Sequence, residues 1–484
     1  MNTQLKRISI VVLAMFTALM VSTTLIQVFQ ADQLAADGRN TRTLYDSYGV
    51  ERGPILAGDT VIAESVPSDD QYEFARSYPE GELYSPITGY FNQTQGSSGL
   101  EQSMNDYLSG TSNTQFLDSL NRIVTDQAPA GAAVETSIDP DVQQAASDAL
   151  GDLQGAIVAV EPSSGRILAM TTSPGYDPNR LASHNSEDVI AAYDELINDP
   201  SQPLINRATG GNLNPPGSSF KVVVAAAAFD TGEYTPDSTL PNPVSLTLPG
   251  SSATVYNWTR TSCGSGDTVT IREAIRQSCN VPLAELGMRL GDDTIKAMAE
   301  KLGFNQAFDI PTETTASSYP NTNSDAETGL SSFGQMNVRT TPLQMALVSA
   351  AVAADGKVMS PTLVDRVTGS NLQALETTQP SEFSTAFSPE VADMLTEVMV
   401  NGVANGQSSN AKIEGVDVAG KTGTAQNGDD DPYTLWFTGF APAENPEVAV
   451  AVVIENDANL GHHSSGNIVA APIAKKVIEA VLNK

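Results

Sequence analysis

The sequence predicts an α+β fold for this chain of 484 residues, with a membrane anchor, a mixed N-terminal pedestal domain and a larger domain built on an antiparallel sheet. Three observations lead to this prediction. Residues 8–29 are apolar and uncharged, a polar stretch follows, and beyond it strand patterns at both ends enclose a helical middle. We expect the three parts at residues 1–30, 31–135 and 136–484.

The apolar run begins after Lys6 and Arg7 and continues from Ile8 to Phe29 without a charge. Because about 20 apolar residues in a helix cross the core of a bilayer, the run is long enough to span a membrane. The basic flank predicts a cytoplasmic N-terminus and an exported remainder. A cleaved signal peptide is the alternative, but no small-residue cleavage site ends the run. We therefore expect a single-pass protein of the plasma membrane, with its larger domain outside the cell.

The composition is acidic, with 57 Asp and Glu against 25 Lys and Arg and a net charge of −32. Such a chain lacks the basic surface that binds a phosphate backbone, so we expect no nucleic-acid partner. The chain has 3 histidines, and the adjacent pair His462-His463 lacks the usual ligand spacing of a metal site and gives little support to a Ser-His-Asp triad. No metal and no cofactor are predicted.

The predicted pedestal carries no cluster of reactive side chains. Thr60–Ala63 has the composition of a strand, and Gly99–Leu108 has the pattern of a helix. The stretch 127–132 contains small residues, a proline and a glycine, and marks the boundary with the next domain. This part of the chain is typical of an interaction module.

The third part begins with a helix capped by Asp139, with Pro140 at its first position. Two strands, Gly155–Pro162 and Gly165–Met170, follow as a tight hairpin. Because further strands come only near the C-terminus, the sheet is expected to combine both ends of this part. The later elements are predicted as helices at 271–276, 283–290, 293–302, 341–354 and 468–482, and as strands at 416–424, 436–442 and 448–455.

One stretch carries the strongest chemical signal, Asn214 to Lys221 with the sequence NPPGSSFK. Its prolines and glycine form a turn, and the Ala/Val run after it predicts a buried helix with Ser218 in its first turn. Residues three apart share a helix face, so the Lys221 amine can approach the Ser218 hydroxyl. Since the positive end of the helix lies beside both, Ser218 is predicted to be an activated nucleophile.

Two further short motifs follow, together with a second copy of the first. Ser409 to Lys412 is also Ser-x-x-Lys, but it lies in a stretch rich in Gly, Asn and Ser that we interpret as a loop. Lys421-Thr422-Gly423 follows an apolar run and is predicted to lie on a strand, where Gly423 lets another group pack against the backbone. Ser278-Cys279-Asn280 is the Ser-x-Asn triplet that lies between two predicted helices.

The order Ser-x-x-Lys, Ser-x-Asn, Lys-Thr-Gly is the signature of penicillin-binding proteins and serine β-lactamases. The chain resembles the class B penicillin-binding proteins, the peptidoglycan transpeptidases, and is most similar to the actinobacterial penicillin-binding protein A type. The resemblance implies a serine β-lactamase/transpeptidase-like fold for residues 136–484. It is carried by Arg52-Gly53-Pro54-Ile55, Gly99-Leu100-Glu101, Pro215 to Lys221, Phe333-Gly334-Gln335, Thr341 to Ala346, Ala419 to Ala425, Trp436-Phe437 and Gly439 to Pro442.

The same resemblance implies the reaction. Ser218 would be acylated by the penultimate D-Ala of a stem peptide or by a β-lactam, Lys221 would be the base, and Lys421 would keep Lys221 neutral. Backbone N–H groups of Ser218 and Thr424 would form the oxyanion hole. The implied catalytic residues are Ser218, Lys221, Ser278 as proton relay and Lys421, and the implied substrate-binding residues are Asn280, Thr422, Gly423 and Thr424.

The chain has 2 cysteines, Cys263 and Cys279. In an oxidising compartment such a pair normally forms a disulfide, although two buried thiols are the alternative. Many relatives carry Asp where Cys279 stands within the Ser-x-Asn triplet. A bond to Cys263 would tether the loop that bears Ser278 and Asn280.

Several functions are compatible with these motifs. We prefer a transpeptidase over a D,D-carboxypeptidase or a β-lactamase, and over a non-catalytic division scaffold or β-lactam sensor. The anchor and pedestal disfavour a β-lactamase, and the intact Ser218, Lys221 and Lys421 argue against a dead enzyme. The partners implied are peptidoglycan stem peptides, β-lactams as inhibitors, and division or elongation proteins that contact the pedestal.

Overall fold

A computed structural model describes residues 3–29, 49–92, 95–115, 130–428, 431–455 and 464–483 of the chain. His462, His463 and residues 127–129 of the predicted domain boundary lie outside the described residues. The helices are α1 Thr3–Phe29, α2 Gly81–Thr88, α3 Gly99–Ser103, α4 Asn105–Leu108, α5 Pro140–Leu150, α6 Ser186–Asn198, α7 Lys221–Asp230, α8 Ile271–Arg276, α9 Val281–Leu290, α10 Asp292–Lys301, α11 Asp325–Ser331, α12 Pro342–Ala353, α13 Pro389–Asn405 and α14 Ala470–Leu482.

The strands form several separate sheets, and short 3₁₀ turns lie between the larger elements. The strands are β1 Ile55–Ala57, β2 Thr60–Pro67, β3 Phe74–Ser77, β4 Phe91–Asn92, β5 Gly96–Ser97, β6 Ala133–Thr136, β7 Gly155–Val160, β8 Ile167–Ser173, β9 Thr239–Pro241, β10 Ser245–Thr247, β11 Thr254–Tyr256, β12 Thr268–Thr270, β13 Lys357–Met359, β14 Val364–Thr368, β15 Ala374–Thr377, β16 Glu382–Thr385, β17 Ala419–Ala425, β18 Thr434–Ala441 and β19 Val448–Ile454. The 3₁₀ turns are Asn113–Gln115, Pro178–Arg180, Gly217–Phe220 and Ser409–Ala411.

The N-terminal helix α1 stands apart from the packed core. Between Lys6 and Ile26 it is apolar, and within the described ranges it is the one helix long and apolar enough to cross a membrane. Its side chains over this span are exposed, which in water would be costly for so many aliphatic groups. The predicted apolar anchor is therefore confirmed as a candidate membrane span.

The large domain is built on a five-stranded antiparallel sheet in the order β17-β18-β19-β7-β8. Strand β19, from the C-terminal end of the domain, pairs with β7 from its N-terminal end, with Val450 opposite Ala159. The prediction that both ends of the domain contribute to one sheet is confirmed. Strands β17 and β8 lie at the two edges, so β17 presents a free edge to the helical part of the domain.

Helices cover both faces of this sheet, and its strands β7 and β19 are accordingly apolar and buried along their whole length. In β19, Val450 and Val452 pack with α5 and α14, whereas Ala449 and Ala451 pack with the opposite core around α12. The cap predicted for α5 is present, since the Asp139 carboxylate accepts hydrogen bonds from two backbone N–H groups of the first turn. Four helices of the described residues were not predicted from the sequence, namely α2, α6, α11 and α13.

The pedestal contains a six-stranded mixed sheet in the order β15-β14-β6-β1-β2-β3. Strand β1 pairs with β6 in parallel, with Ile55 opposite Val134, and the other neighbours are antiparallel. The hairpin β14-β15 comes from within residues 136–484, the predicted transpeptidase domain. The predicted boundary at residue 135 falls inside β6, whose residue Val134 pairs with Val367 of that hairpin.

A buried charge cluster centred on Glu101 holds the pedestal together. The Glu101 carboxylate accepts from Arg52 Nε at 2.6 Å and from Arg76 Nε at 2.5 Å, and all three side chains are buried. Burial by itself raises the pKa of Glu101, but the charges and hydrogen bonds of Arg76 and Arg52 outweigh it and leave the pKa below its usual value. The Arg52-Gly53 and Gly99-Leu100-Glu101 motifs therefore meet as an ion cluster.

Replacing Glu101 by Ala is expected to destabilise the pedestal by about 3 to 5 kcal/mol, because two guanidinium groups would remain buried without a counter-charge. Chemical unfolding of the detergent-solubilised chain, followed by circular dichroism, measures the effect. The matched control is Glu195→Ala, whose carboxylate pairs with Arg180 at the surface and should cost no more than about 1 kcal/mol. Equal costs for the two variants would contradict the structural role of the cluster.

Candidate active site

Ser218 lies in the 3₁₀ turn Gly217–Phe220, which continues directly into α7. The prediction of a helix start is correct, although the first turn is 3₁₀ and not α. Ser219 and Phe220 are buried while Ser218 is partly exposed, so the turn anchors its neighbours and presents Ser218 to the cleft. The Ser219 hydroxyl donates to Pro216 O at 2.7 Å and closes the turn.

Backbones of two other segments press against this turn. Gly217 N donates to Gly334 O at 3.0 Å, and a Cβ on Gly334 would lie 2.0 Å from Gly217 O. On the other side, a Cβ on Gly423 would lie 2.5 Å from Pro216 O. The close approach expected at Gly423 is therefore an approach to the turn that carries Ser218. The contact of Gly334 could not be read from the sequence.

Lys221 points from the start of α7 toward the Ser278 loop. Its Nζ donates to Ser278 O at 2.7 Å and to Asn280 Oδ1 at 2.8 Å, and the side chain is buried. No hydrogen bond joins Lys221 Nζ to Ser218 Oγ in the described part of the chain, although the helical spacing predicts their approach. Two acceptors on the opposite wall of the cleft hold the amine instead.

Lys421 enters the same cleft from β17, which confirms the predicted strand. Its Nζ donates to Ser278 Oγ at 2.8 Å and to Thr422 O at 2.9 Å, and it is buried. The two lysines thus bind different atoms of one residue, Lys221 the carbonyl and Lys421 the hydroxyl of Ser278. The three sequence motifs converge at this residue.

Burial controls the ionisation of both amines. The pKa of Lys221 lies well below its ordinary value, first because burial disfavours the charged form and second because of the positive charge of Lys421. Burial also lowers the pKa of Lys421, to about 7. Proximity of Lys421 and the positive helix end were the causes expected from the sequence. Desolvation proves to be the larger one.

The backbone of Ser278 is held in an unusual conformation. Its φ of 58° lies in the left-handed region, which a non-glycine residue adopts at a cost. Cys279, the next residue, forms a disulfide with Cys263, as expected, and its N–H donates to Ala274 O at 2.8 Å. The loop is thus fixed immediately beside its strained residue.

Asn257 secures the other end of this loop, and sequence reasoning missed it. Its buried side-chain oxygen accepts from Asn280 N at 2.9 Å and Val281 N at 3.0 Å, so it caps α9 from a distant segment. The Asn280 side chain in turn donates from Nδ2 to Tyr256 O at 3.1 Å. A single asparagine in a loop has no sequence signal that identifies such a role.

The two threonines of the Lys-Thr-Gly-Thr segment differ in their surroundings. The Thr422 hydroxyl donates to Gln407 O at 2.7 Å, and Thr422 N donates to Ser408 Oγ at 3.1 Å, so this residue faces the loop behind the strand. The Thr424 hydroxyl accepts from Gly466 N at 3.2 Å and is partly exposed. Thr424 is therefore the hydroxyl better placed to meet a ligand.

The competing Ser-x-x-Lys copy does not form a comparable site. Ser409 lies in the 3₁₀ turn Ser409–Ala411, and both Ser409 and Lys412 are exposed. Neither side chain meets a buried amine or a strained loop. The short 3₁₀ turn replaces the loop expected there.

Two family models match this chain. The penicillin-binding protein transpeptidase domain matches residues 155–479, which is more than half of the chain. The penicillin-binding protein A dimerisation domain matches residues 52–134. The second match covers the pedestal strands β1 to β6, apart from the last residues of β6.

The chain is also similar to named proteins and to proteins of solved structure. The chain is 41% identical over 493 residues to peptidoglycan D,D-transpeptidase PbpA of Mycolicibacterium smegmatis, and the alignment covers 100% of both chains. The ceftriaxone acyl-enzyme of penicillin-binding protein A from Mycobacterium tuberculosis superimposes with a TM-score of 0.87 at 40% identity, covering 90% of this chain and 100% of that one. Its penicillin G acyl-enzyme gives 0.85 at 39% identity, covering 89% and 99%.

Breaking the Cys263–Cys279 disulfide is expected to slow acylation of the protein by penicillin, because Ser278 and Asn280 lose the tether beside them. A loss on the order of 10-fold in the second-order rate constant with a fluorescent penicillin is expected from such misplacement. The measurement compares reduced and oxidised protein, and the Cys263→Ser, Cys279→Ser double variant serves as a control that reductant should not affect. Unchanged kinetics after complete reduction would refute the positioning role.

Lys421→Ala is expected to slow acylation at pH 7 on the order of 10²-fold, the usual size of an acid–base contribution. Lys421 lowers the pKa of Lys221, so removing Lys421 raises the pKa of Lys221. As the pH is lowered, the variant should therefore lose acylation earlier, at a higher pH than the wild type. Rates measured between about pH 5 and pH 8, where most proteins are most stable, would reveal the shift. The exposed Lys412 provides the control, since Lys412→Ala should behave as wild type. An effect confined to KM would contradict the coupling.

Proposed function

The chain belongs to the penicillin-binding protein transpeptidase family and is a class B peptidoglycan D,D-transpeptidase, and on this premise we propose that Ser218 is the residue that its substrates acylate. One observation carries the proposal. The turn of Ser218 lies against the strand that bears Lys421, and Lys421 and Lys221 both bind Ser278 across the cleft. A partly exposed hydroxyl beside two buried amines of lowered pKa is the arrangement that nucleophilic catalysis needs.

In the first half-reaction, Ser218 Oγ attacks the carbonyl carbon of the penultimate D-Ala of a donor stem peptide. The hydroxyl proton passes to the neutral amine of Lys221, whose lowered pKa makes it available as a base. The bond from the carbonyl carbon to the nitrogen of the terminal D-Ala then breaks. Ser278 Oγ, which accepts a hydrogen bond from Lys421 Nζ at 2.8 Å, gives its proton to that leaving amine and receives one from Lys421 Nζ.

The remaining site residues bind the substrate. The N–H groups of Ser218 and Thr424 form the oxyanion hole, and Asn280 holds the substrate amide. Lys421 and the Thr424 hydroxyl hold the terminal carboxylate of the donor. Thr422 acts through its backbone carbonyl, which accepts from Lys421 Nζ, and Gly423 acts by allowing the strand to approach the turn of Ser218.

In the second half-reaction, a neutral amine of a neighbouring stem peptide attacks the ester carbonyl and forms the cross-link, and the proton that it loses returns through Ser278 Oγ to Lys421 Nζ. Ser218 recovers its proton from Lys221 as the ester bond breaks. A β-lactam acylates the same hydroxyl through its ring carbonyl, but its leaving nitrogen stays attached to the acyl group and blocks the incoming amine. Such acyl-enzymes have been solved for the similar protein of Mycobacterium tuberculosis.

The orientation in the membrane is part of the same proposal. Lys6 and Arg7 at the start of the apolar helix favour a cytoplasmic N-terminus, which puts the reaction outside the cell, where peptidoglycan lies. We also propose that the chain divides into an anchor at residues 1–30, a pedestal at 31–135 and a transpeptidase domain at 136–484. Strands β14 and β15 of the transpeptidase domain pair with the strands of the pedestal sheet.

Division or elongation proteins are proposed to contact the pedestal. Strand β15 is the last strand of its sheet, and the turn before it exposes 87% of Leu372. Among the described strands the outer edge of β15 has no partner, and such an edge with an exposed leucine beside it is a surface that a partner protein can cover.

Ser218→Ala is expected to abolish covalent labelling by a fluorescent penicillin, because no other residue of the site supplies the nucleophile. The matched control is Ser409→Ala, which removes the serine of the second Ser-x-x-Lys and should leave labelling at the wild-type level. Labelling is measured on denaturing gels after incubation of the full chain in detergent. Covalent label on Ser218→Ala would overturn the assignment.

Release of D-Ala from a donor peptide, measured with and without an acceptor amine, separates transfer from hydrolysis. A transpeptidase should release D-Ala faster when acceptor is present and should form the cross-linked product. Release that ignores the acceptor would mean that water resolves the acyl-enzyme, as in a carboxypeptidase.

A further inference from the structure

Two exposed aromatic side chains lie two residues apart at the rim of the active site, one at the end of β11 and one in the loop that follows it. Outside α1, and within the described residues, Tyr256 at 41% and Trp258 at 60% are the aromatic side chains that remain largely exposed. A tryptophan that open to water loses the burial that normally stabilises it. Tyr256 and Trp258 therefore form an exposed aromatic surface that packing in the core does not account for.

This loop is attached directly to the catalytic groups. Tyr256 O accepts from Asn280 Nδ2 at 3.1 Å, and Asn257 Oδ1 accepts from Asn280 N at 2.9 Å. At its far end the loop is tied to the same triplet by the disulfide between Cys263 and Cys279. Trp258 therefore projects from a segment whose position is fixed relative to Asn280 and Ser278.

Across the cleft, Trp258 meets an aromatic ring from the sheet. Its ring centroid lies 6.2 Å from that of Tyr433, with an angle of 77° between the planes, an edge-to-face contact. Tyr433 immediately precedes β18, and its neighbour Thr434 pairs with Ala425 at the end of β17. The two rings therefore bridge the helical wall and the sheet wall at the Ala425 end of the strand.

The direction of the donor peptide follows from the proposed function, on which this inference rests. Lys421 binds the terminal carboxylate, which belongs to the leaving D-Ala, so the rest of the donor must extend from Ser218 the other way. Because Lys421 and the Thr424 hydroxyl hold that carboxylate, the direction away from them leads toward Ala425, at the end of β17. The first donor residue beyond the acylated D-Ala therefore arrives beneath Trp258 and Tyr433.

We propose that Trp258 and Tyr433 form a subsite for the side chain of the donor residue that precedes D-Ala-D-Ala, a chain of methylene groups ending in an ammonium. In the proposed reaction an amine of a neighbouring stem peptide forms the cross-link, and because donor and acceptor are stems of one kind, the donor carries such an amine as well. Methylene groups pack on aromatic faces. An ammonium group is attracted to the face of an aromatic ring, and among the aromatic side chains the indole ring of tryptophan attracts it most strongly. The same loop already carries one such contact, with the Arg260 guanidinium 5.0 Å from the centre of the Tyr256 ring.

The subsite would select among donors without taking part in bond making. The reacting carbonyl lies one residue away from the side chain that Trp258 and Tyr433 bind. A small β-lactam with an acetamido side chain occupies only the region around Ser218. It should therefore acylate the protein whether or not the aromatic pair is present.

Binding can be measured without catalysis by using the full-length Ser218→Ala variant. Of the chain's 2 tryptophans, Trp436 is buried and Trp258 is exposed, so solvent-sensitive indole emission comes from Trp258. Titration with Nα-acetyl-Lys-D-Ala-D-Ala should shift this emission to shorter wavelength, and the shift should vanish in Ser218→Ala, Trp258→Phe. Absence of any change with the parent variant at a saturating concentration, established by equilibrium dialysis, would overturn the subsite.

Kinetics then test the preference for an ammonium. The kcat/KM of D-Ala release is compared for Nα-acetyl-Lys-D-Ala-D-Ala and its Nε-acetyl form, which has the same methylene groups but no charge. Trp258→Ala should lower kcat/KM for the free-amine donor by about 3- to 30-fold, the range of a cation–π contact, and lower it less for the acetylated donor. Trp258→Phe should recover part of the loss, and Tyr433→Ala should act in the same direction.

Two controls separate this subsite from other effects. Ile197→Ala, which changes an exposed apolar residue of α6, should match wild type with both donors. Acylation by 6-acetamidopenicillanic acid should change by less than about twofold in Trp258→Ala, whereas an equal loss on all probes would mean that the loop merely positions Asn280 and would refute the subsite. Failure of the wild type to react with this β-lactam would instead contradict the assignment of Ser218, and the fluorescence titration would still decide the subsite.

Discussion

Two buried lysine amines that share Ser278 as a partner are the constraint on which this active site depends. Each amine alone would be difficult to bury, and both together would repel one another if both were charged. The structure meets this difficulty by giving each amine two oxygen acceptors and by lowering both pKa values. A base and a cation can then exist side by side at neutral pH, which an exposed pair of lysines would not allow.

The same constraint explains why so much of the domain is devoted to holding short segments of backbone. Ser278 must turn its hydroxyl and its carbonyl toward different lysines, and it does so in a left-handed conformation that its neighbours have to maintain. Gly334 and Gly423 bring two backbones against the turn of Ser218 from opposite sides. Since β17 carries Lys421 and also contacts that turn, one strand sets the distance between the cation and the nucleophile.

Much of this arrangement could be predicted from the sequence because its signals are local. The cap at Asp139, the helix at Ile271–Arg276, the strand that bears Lys421 and the membrane helix depend on patterns within a few residues. The order of the three motifs predicted the catalytic residues, and the position of Cys279 within the Ser-x-Asn triplet predicted a disulfide beside Ser278.

The features that escaped prediction depend on contacts between distant segments. Helix α13 contains Thr396, Val398 and Gly402, weak helix formers, and it is stabilised by burial of Val391, Leu395 and Met399 in the core. Asn257 acts on a helix that begins 24 residues later, and Lys221 turns to acceptors on another segment instead of Ser218. Burial was underestimated as the cause of the lysine pKa values for the same reason, because it is a property of the assembled fold.

The hairpin β14-β15 gives the molecule a connectivity that its linear order hides. It completes the pedestal sheet, yet it is covalently part of the transpeptidase segment, where Ile167 of β8 donates from its N–H to Thr362 O just before the hairpin. The pedestal is therefore not a contiguous piece of chain that can be excised, grafted or exchanged between relatives by joining two sequences at one point. Any recombination that replaced the pedestal alone would leave β6 facing a foreign β14, so the two parts are expected to be inherited together.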